Sequence, residues 1–211
     1  MENCYLIVGL GNPGAEYAQT RHNAGFTLVE KLAARWKVNW RNERKFKARM
    51  ARAERVRRTS SPSTGRTPVP QRVLLCQPQT FMNASGEAVK AVLSFYQLRP
   101  QSELLVVVDD ADLPLGEIRL RAGGGSGGHH GLESIEQHLG TPAFARLRLG
   151  IGRQDGARQI TDYVLDRFAA AEAAVMEKVL DRSADQAECW LAEGIETAMN
   201  RFNGNVEELN G

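Results

Sequence analysis

Short continuous apolar runs alternate along this chain with longer segments in which apolar residues recur at helical spacing. The runs at 5–10 and 104–108 are rich in β-branched residues, which is typical of buried strands. The patterns predict strands at 5–10, 47–56, 69–77, 104–108, 117–121 and 146–151, and helices at 24–36, 84–98, 130–139 and 169–192, the last as one or two helices. Because strands alternate with helices, we predict an α/β fold, a single-domain three-layer sandwich with a mixed, twisted sheet flanked by helices.

The composition changes this picture little. With 42% hydrophobic and 25% charged residues among 211, the chain has the balance of one globular domain, which we place at 1–211. Cys4, Cys76 and Cys189 are isolated and odd in number, which predicts no disulfide framework and suits a reducing cytoplasm. The N-terminus lacks a signal-peptide pattern, and no run is apolar enough to span a bilayer. We therefore expect a cytoplasmic protein with no membrane partner.

The net charge of +2 conceals a basic run at 41–58, where nine lysines and arginines face two acids. Such a block attracts phosphates. A solvated hairpin surface explains it equally well, and both interpretations stay open. The loop at 59–70 is rich in turn-forming residues, so we expect it on the surface, without effect on the chemistry.

Gly9, Gly11 and Gly14 match G-x-G-x-x-G, the dinucleotide-binding fingerprint. That fingerprint needs a helix opening at the third glycine and an acid on a second strand about 20 residues later. Here Pro13 precedes Gly14, and the nearest suitable acid, Glu30, lies inside a predicted helix. No G-x-x-x-x-G-K-[ST] phosphate loop is present either, so a nucleotide cofactor is disfavoured.

Ser126 lies in a G-x-S-x-G match between a strand and a helix, the context of a nucleophile elbow. The histidines after it, His129, His130 and His138, all lie on or beside one short helix, so a triad cannot converge on Ser126. A metal is disfavoured as well, because adjacent ligands point apart and no H-x-x-x-H spacing occurs. The potential ligands considered are Asp109, Asp110, Asp112, His129 and His130.

Polar residues remain at strand ends and in loops, where α/β sheets place their sites. They are Asn12, His22, Asn23, Asn83 and Asp109. A histidine can take a proton near neutral pH, and a carboxylate on its other nitrogen would fix the tautomer. Each residue alone also has an ordinary structural explanation, as a turn former, loop hydrogen bonder or helix cap. Spacing alone therefore leaves a hydrolytic site as one interpretation among several.

Four segments resemble, in order, the bacterial peptidyl-tRNA hydrolase family, with the likeness running from residue 6 to 201. They are GLGNPGAEYAQTRHNAGF, QPQTFMNASGEAV, DDADLPLGEIRLRAGGGSGGHHGL and FARLRLGIGR. The resemblance implies a monomeric α/β enzyme that cleaves the ester between a peptide's carboxyl group and the ribose of tRNA, and so recycles tRNA. It implies no metal and no organic cofactor.

The resemblance also assigns roles. His22 matches the histidine that activates water, and Asp109 matches the carboxylate that orients it. Asn83 matches a substrate contact that could donate to the oxyanion, and Asn12 matches the residue that separates N-blocked peptidyl-tRNA from free aminoacyl-tRNA. Further substrate-binding candidates are Tyr17, Asn23, Phe81, Met82, His129 and His130, and basic candidates for the acceptor end of the tRNA are Arg119, Arg121 and Arg148.

His130 departs from the family pattern, which commonly has asparagine there. Neutral histidine offers one donor and one acceptor and loses the acceptor on protonation. We expect His130 to preserve a contact to the peptide or a water and to add pH sensitivity. One alternative function stays open: some plant organelle relatives act in RNA splicing, so the fold can also serve as a non-enzymatic RNA-binding module.

Overall fold

The computed structural model describes residues 3–57, 69–152 and 160–206. Its strands are β1 Asn3–Gly9, β2 Arg41–Glu43, β3 Ala48–Arg57, β4 Val69–Pro78, β5 Leu104–Asp110, β6 Glu117–Arg121, β7 Ala145–Gly150 and β8 Gly204–Asn205. Its α-helices are α1 Ala24–Arg35, α2 Ser85–Tyr96, α3 Pro100–Glu103, α4 His130–Leu139, α5 Ile160–Leu165, α6 Ala170–Glu193 and α7 Ile195–Phe202. Short 3-10 turns cover Arg21–Asn23, Arg44–Phe46 and Met82–Ala84.

The strands form one mixed sheet in the order β2-β3-β4-β1-β5-β7-β6-β8. The four central strands, β4, β1, β5 and β7, run parallel, and the outer pairs are antiparallel. The carboxyl ends of the parallel strands therefore meet at one edge of the sheet, where α/β proteins place their sites. Asn12, Gln79, Ala111 and Ile151 all follow those ends directly or within a few residues.

Both faces of the sheet are covered, which confirms the three-layer prediction. Side chains alternate along β1, so that Ile7 belongs to the apolar core that includes residues of α1, α6 and α7, while Leu6 and Val8 belong to the core that includes residues of α2 and α4. β5 is buried from Leu104 to Asp109, which explains why its sequence is a continuous apolar run.

The predicted strands and helices are present, and the sequence patterns missed the short elements. β2 has the sequence RNE and β8 the sequence GN, so neither shows the alternation of apolar and polar residues that predicts a strand. α6 is one helix of 24 residues, and α7 follows it after Gly194. The expected surface loop loses two residues to β4, which begins at Val69, because that strand pairs with β3 along its whole length; residues 59–68 lie outside the described residues.

The structure bears on the expectations about cysteines and membrane-spanning segments. All three cysteines are free and buried. None of the helices in the described ranges is both long and apolar enough to cross a membrane.

The contact between α2 and α4 passes through Gly86. Its backbone N–H donates to Ser134 Oγ at 3.0 Å, and a Cβ placed on Gly86 would lie 2.2 Å from the carbonyl oxygen of Ser134. In an ordinary helix alanine is favoured over glycine by roughly 0.5–1 kcal/mol. Here the clash reverses the sign, because backbone atoms on both helices would have to separate.

We therefore expect Gly86→Ala to lower the free energy of unfolding by about 1–3 kcal/mol, measured by urea denaturation. Gly125→Ala is the matched control, because a Cβ on Gly125 meets nothing within 4 Å. A Gly86→Ala variant as stable as the wild type would show that the two helices are not held this closely.

Candidate active site

A cavity of about 360 Å³ opens at the carboxyl edge of the sheet, above β1, β5 and β7. Its walls are formed by the loop after β1, the end of β5, α5 and residues 123–128 before α4, called here the glycine-rich loop. The polar and charged lining residues are Asn12, His22, Asp109, Asp110, Asp112, His129, His130, Arg148 and Thr161, and the larger apolar ones are Ile160, Val164 and Leu165.

His22 and Asp109 form the centre of this cavity. The 3-10 turn Arg21–Asn23 carries His22 to the end of β5, where Nδ1 lies 3.0 Å from both carboxylate oxygens of Asp109. The side chain of Asp109 is 3% exposed and that of His22 is 13% exposed. A carboxylate facing Nδ1 holds a proton on that nitrogen, which leaves the lone pair on Nε2 for chemistry.

The electrostatics of the pair follow from burial and attraction acting against each other. Burial of Asp109 works to raise the pKa of its carboxyl, but the charge of His22 and the hydrogen bonds from His129 and His22 prevail and hold that pKa well below its ordinary value. Burial of His22 works to lower its pKa, but the charge of Asp109 and the hydrogen bond to it prevail and raise that pKa. Asp109 is therefore an anion at neutral pH.

His129 contacts Asp109 as well. Its Nε2 lies 3.1 Å from Asp109 Oδ1, while its Nδ1 accepts from the backbone N–H groups of Gly131 and Leu132 at 3.1 and 3.4 Å. His129 is therefore the N-cap of α4. The sequence placed His129 among the substrate-binding candidates; its position one residue before the predicted helix was the available signal for a cap.

His22, Asp109 and His129 bring three potential metal-ligand atoms within 4.8 Å of one another, which the spacing rules did not foresee. A metal-bound imidazole nitrogen must offer a lone pair. Because Nδ1 of His129 accepts two N–H groups, its proton lies on Nε2, the nitrogen that faces Asp109. Hydrogen bonds to the carboxylate account for this cluster.

Asn12 is held in place by Asn23 and by the turn after β4. The side chain of Asn23 accepts from Asn12 N–H at 2.8 Å and donates to its carbonyl at 3.0 Å, and Met82 N–H donates to Asn12 Oδ1 at 2.8 Å. Asn23 is 2% exposed and lies behind Asn12, outside the wall of this cavity. Of the Asn12 side-chain groups, the Nδ2 amide is left to donate.

The other predicted substrate-binding residues, Tyr17, Phe81, Met82 and Asn83, are not among the described residues that line the cavity. Phe81 and Asn83 are exposed, Met82 is buried, and Tyr17 is partly buried. Their contacts to a substrate stay predictions. Ser126 Oγ donates to Glu133 at 3.4 Å and accepts from Gly128 N–H at 3.2 Å, so this hydroxyl is turned into the glycine-rich loop.

The three arginine candidates have different surroundings. Arg148 donates to Asp110 at 3.0 Å and to the carbonyls of Gly125 and Ser126 at 2.9 Å, so it fastens the glycine-rich loop to β5. Arg119 pairs with Glu117 at 2.8 Å. Arg121 is exposed and pairs with no acid among the described residues. The structure thus leaves Arg121 as the least neutralised charge of the three.

Sequence patterns missed the apolar wall that α5 supplies. Ile160 and Leu165 are 41% and 43% exposed and, with Val164, line the cavity. The i, i+4 spacing of Ile160 and Val164 was the signal available, but six residues are too few to stand out.

Arg21 connects α5 to the turn that carries His22. Its buried guanidinium lies 4.5 Å from the ring centre of Tyr163 in α5 and 4.7 Å from that of Phe168. The same group pairs with Glu172 of α6 at 2.9 Å. The apolar wall of the cavity is thereby held at a fixed place beside His22.

The fold and this geometry define a class: an α/β protein whose cavity holds a histidine in contact with a buried carboxylate, an arrangement suited to acid–base chemistry. A family model described as Peptidyl-tRNA hydrolase matches residues 6–210. Peptidyl-tRNA hydrolases of Synechococcus sp. (strain JA-3-3Ab) and Chloroflexus aggregans are 50% and 48% identical over 94% of this chain, and the matches cover 82% and 98% of those relatives. The crystal structure of peptidyl-tRNA hydrolase from Acinetobacter baumannii matches with a TM-score of 0.84 at 38% identity and covers 97% of each chain. The chain belongs to the peptidyl-tRNA hydrolase family.

The His22–Asp109 contact makes a direct prediction. Asp109→Asn removes the negative charge and leaves the histidine buried, so we expect the pKa of His22 to fall from above its ordinary value to below it. A proton titration of the His22 Cε1–H signal by NMR measures this, with His22→Gln to assign the signal. A pKa that stays raised in Asp109→Asn would contradict the assigned cause.

Proposed function

We propose that this protein hydrolyses the ester between the peptide and the tRNA ribose in peptidyl-tRNA, with His22 as the general base. Membership of the family supports the activity. The observation that carries the role of His22 is its Nδ1 contact to the buried Asp109 carboxylate, which turns Nε2 toward the cavity as the proton acceptor.

In this mechanism Nε2 of His22 takes a proton from a water molecule as the water oxygen attacks the ester carbonyl. The resulting imidazolium is stabilised by Asp109. When the tetrahedral intermediate collapses, the bond from carbon to the ribose oxygen breaks, and His22 returns the proton to that oxygen. The products are the tRNA and the peptide carboxylic acid, which releases its remaining proton to solvent and becomes a carboxylate, and His22 is neutral again.

Asparagine amides serve recognition and charge stabilisation in this proposal. Because Asn12 Oδ1 accepts from Met82, the side chain of Asn12 offers its Nδ2 as a donor. A donor suits the carbonyl oxygen of an N-acylated substrate and not the ammonium group of a free aminoacyl ester, which accounts for discrimination between them. Asn83, exposed in the middle of the Met82–Ala84 turn, donates to the developing oxyanion.

The tRNA is held by basic side chains around the acceptor end and its 5′ phosphate. Arg121 makes the strongest case, because it is exposed and lacks an acidic partner among the described residues. The described part of the basic run, 41–57, forms β2, the Arg44–Phe46 turn and β3 at one end of the sheet. Several of its cations already pair with acids, Lys47 with Glu87, Arg49 with Glu30 and Arg55 with Glu188. That run therefore contributes general attraction at most.

The remaining features of the proposal are a monomer acting in the cytoplasm, and a role for His130. Its side chain is 67% exposed at the cavity rim, with Nδ1 3.1 Å from Glu133 Oε2. From that position it contacts the peptide or a bound water, and it adds the pH sensitivity that an asparagine lacks.

Loss of the general base should be visible directly. We expect wild-type protein to cleave N-acetyl-aminoacyl-tRNA and to spare unblocked aminoacyl-tRNA, and His22→Ala to reduce kcat/KM by about 10²–10⁴. His138→Gln is the matched control, because His138 lies outside the cavity wall and donates to Ser134 O within α4. Wild-type protein that binds the blocked substrate without cleaving it would favour the RNA-binding module.

Phosphate contact by Arg121 should appear in the salt dependence of binding. In a His22→Ala background, Arg121→Gln should make the plot of log affinity against log salt shallower by about one. Arg99→Gln is the control; Arg99 precedes α3, at the opposite edge of the sheet, and pairs with Glu103. An unchanged slope for Arg121→Gln would remove Arg121 from the phosphate-contacting set.

A further inference from the structure

Asp109 accepts hydrogen bonds from two histidines that different elements supply. His22 comes from the turn before α1, and His129 comes from the start of α4. Asp109 Oδ1 takes part in both contacts, at 3.0 and 3.1 Å, and the two imidazole rings lie 5.2 Å apart between centres. The proposed mechanism uses His22 and gives His129 no part beyond capping α4.

The hydrogen bonds of His129 determine its protonation state. Nδ1 accepts from two backbone N–H groups, at positions N2 and N3 of α4, so it cannot carry a proton. The proton must then lie on Nε2, and the ring is neutral. A neutral His129 is a fixed donor to Asp109 and does not repel the imidazolium that forms on His22.

We propose that His129 is a positioning residue for His22. Its hydrogen bond to Asp109 holds that carboxylate in place and partly offsets its negative charge, so that Asp109 attracts the proton on His22 less strongly. The proposal rests on the function proposed for His22. A base that must take a proton from water and return it to the leaving oxygen works best when its affinity for that proton is intermediate. An unshared carboxylate would stabilise the imidazolium more strongly and leave less of the base form at neutral pH.

The substitutions of His129 described below leave the other charged or titratable groups around His22 and Asp109 unchanged. They are Asp110 and Asp112 after β5, His130 in α4, Arg148 in β7, and Arg21 beside His22. Arg148 is paired with Asp110, and Arg21 is paired with Glu172.

Two substitutions separate the two hydrogen-bonding roles of His129. Asparagine places its oxygen near the position of Nδ1, so His129→Asn keeps the helix cap but is too short to reach Asp109. Glutamine places its amide nitrogen near the position of Nε2, so His129→Gln keeps the donor to Asp109 and weakens the cap.

For His129→Asn we expect the acid limb of the kcat/KM profile to move to higher pH by about half a pH unit or more, with a urea midpoint near that of the wild type. For His129→Gln we expect an acid limb at the same pH as in the wild type, and a urea midpoint below that of the wild type. An unchanged profile in His129→Asn, or equal movement in both variants, would overturn the proposal.

Two NMR measurements are independent of catalysis. The ring ¹⁵N shifts of wild-type His129 should show a proton on Nε2 and none on Nδ1, and a proton on Nδ1 would overturn the proposal. The titration of His22 should move to higher pH in His129→Asn and not in His129→Gln. If wild-type protein failed to cleave the blocked ester while these titrations moved as expected, the proposed function would fail and the positioning role would stand.

Discussion

Burial of a single carboxylate governs the arrangement of this site. Asp109 is the last fully buried residue of β5 and remains an anion, which is costly in a protein interior unless donors surround it. The donors come from two histidines on elements that precede and follow β5 in the chain. The turn that carries His22 and the start of α4 must therefore dock on the end of β5 for the fold to be stable, so that the same contact stabilises the fold and orients the base.

Two arginines of β7 extend this arrangement to the glycine-rich loop. Arg146 is 1% exposed and pairs with Glu136 of α4 at 2.9 Å, while Arg148 donates to two carbonyls of the loop. Gly127 and Gly128 have φ values of 63° and 77°, a backbone conformation that residues with a side chain rarely adopt. The two glycines thus allow the backbone conformation of the loop, and the arginines hold the loop and α4 in place by hydrogen bonds. His129, which follows the loop, is thereby positioned to donate to Asp109.

The sequence predicted the sheet well because the central strands are short apolar runs and the helices are amphipathic, both of which are local signals. It also placed Asn12 and Asp109 at strand ends and His22 in a loop, and the structure brings all three to one cavity. It could not reveal that His129 shares Asp109 or that Arg21 pairs with Glu172, 151 residues away, because such contacts depend on how distant elements dock. Likewise β2 and β8 exist only through pairing with a neighbouring strand, and their own residues carry no β pattern.

The surroundings of His22 also decide what the nucleophile can be. A serine or cysteine nucleophile would have to reach Nε2, the nitrogen left free by Asp109. Ser126 is hydrogen-bonded within the glycine-rich loop, and the three cysteines are buried, with burial raising the pKa of each thiol. Among the described residues that line the cavity, Thr161 is the one with a hydroxyl group, and it lies on the wall formed by α5. A water molecule is consequently the nucleophile that this geometry favours, which agrees with the general-base role proposed for His22.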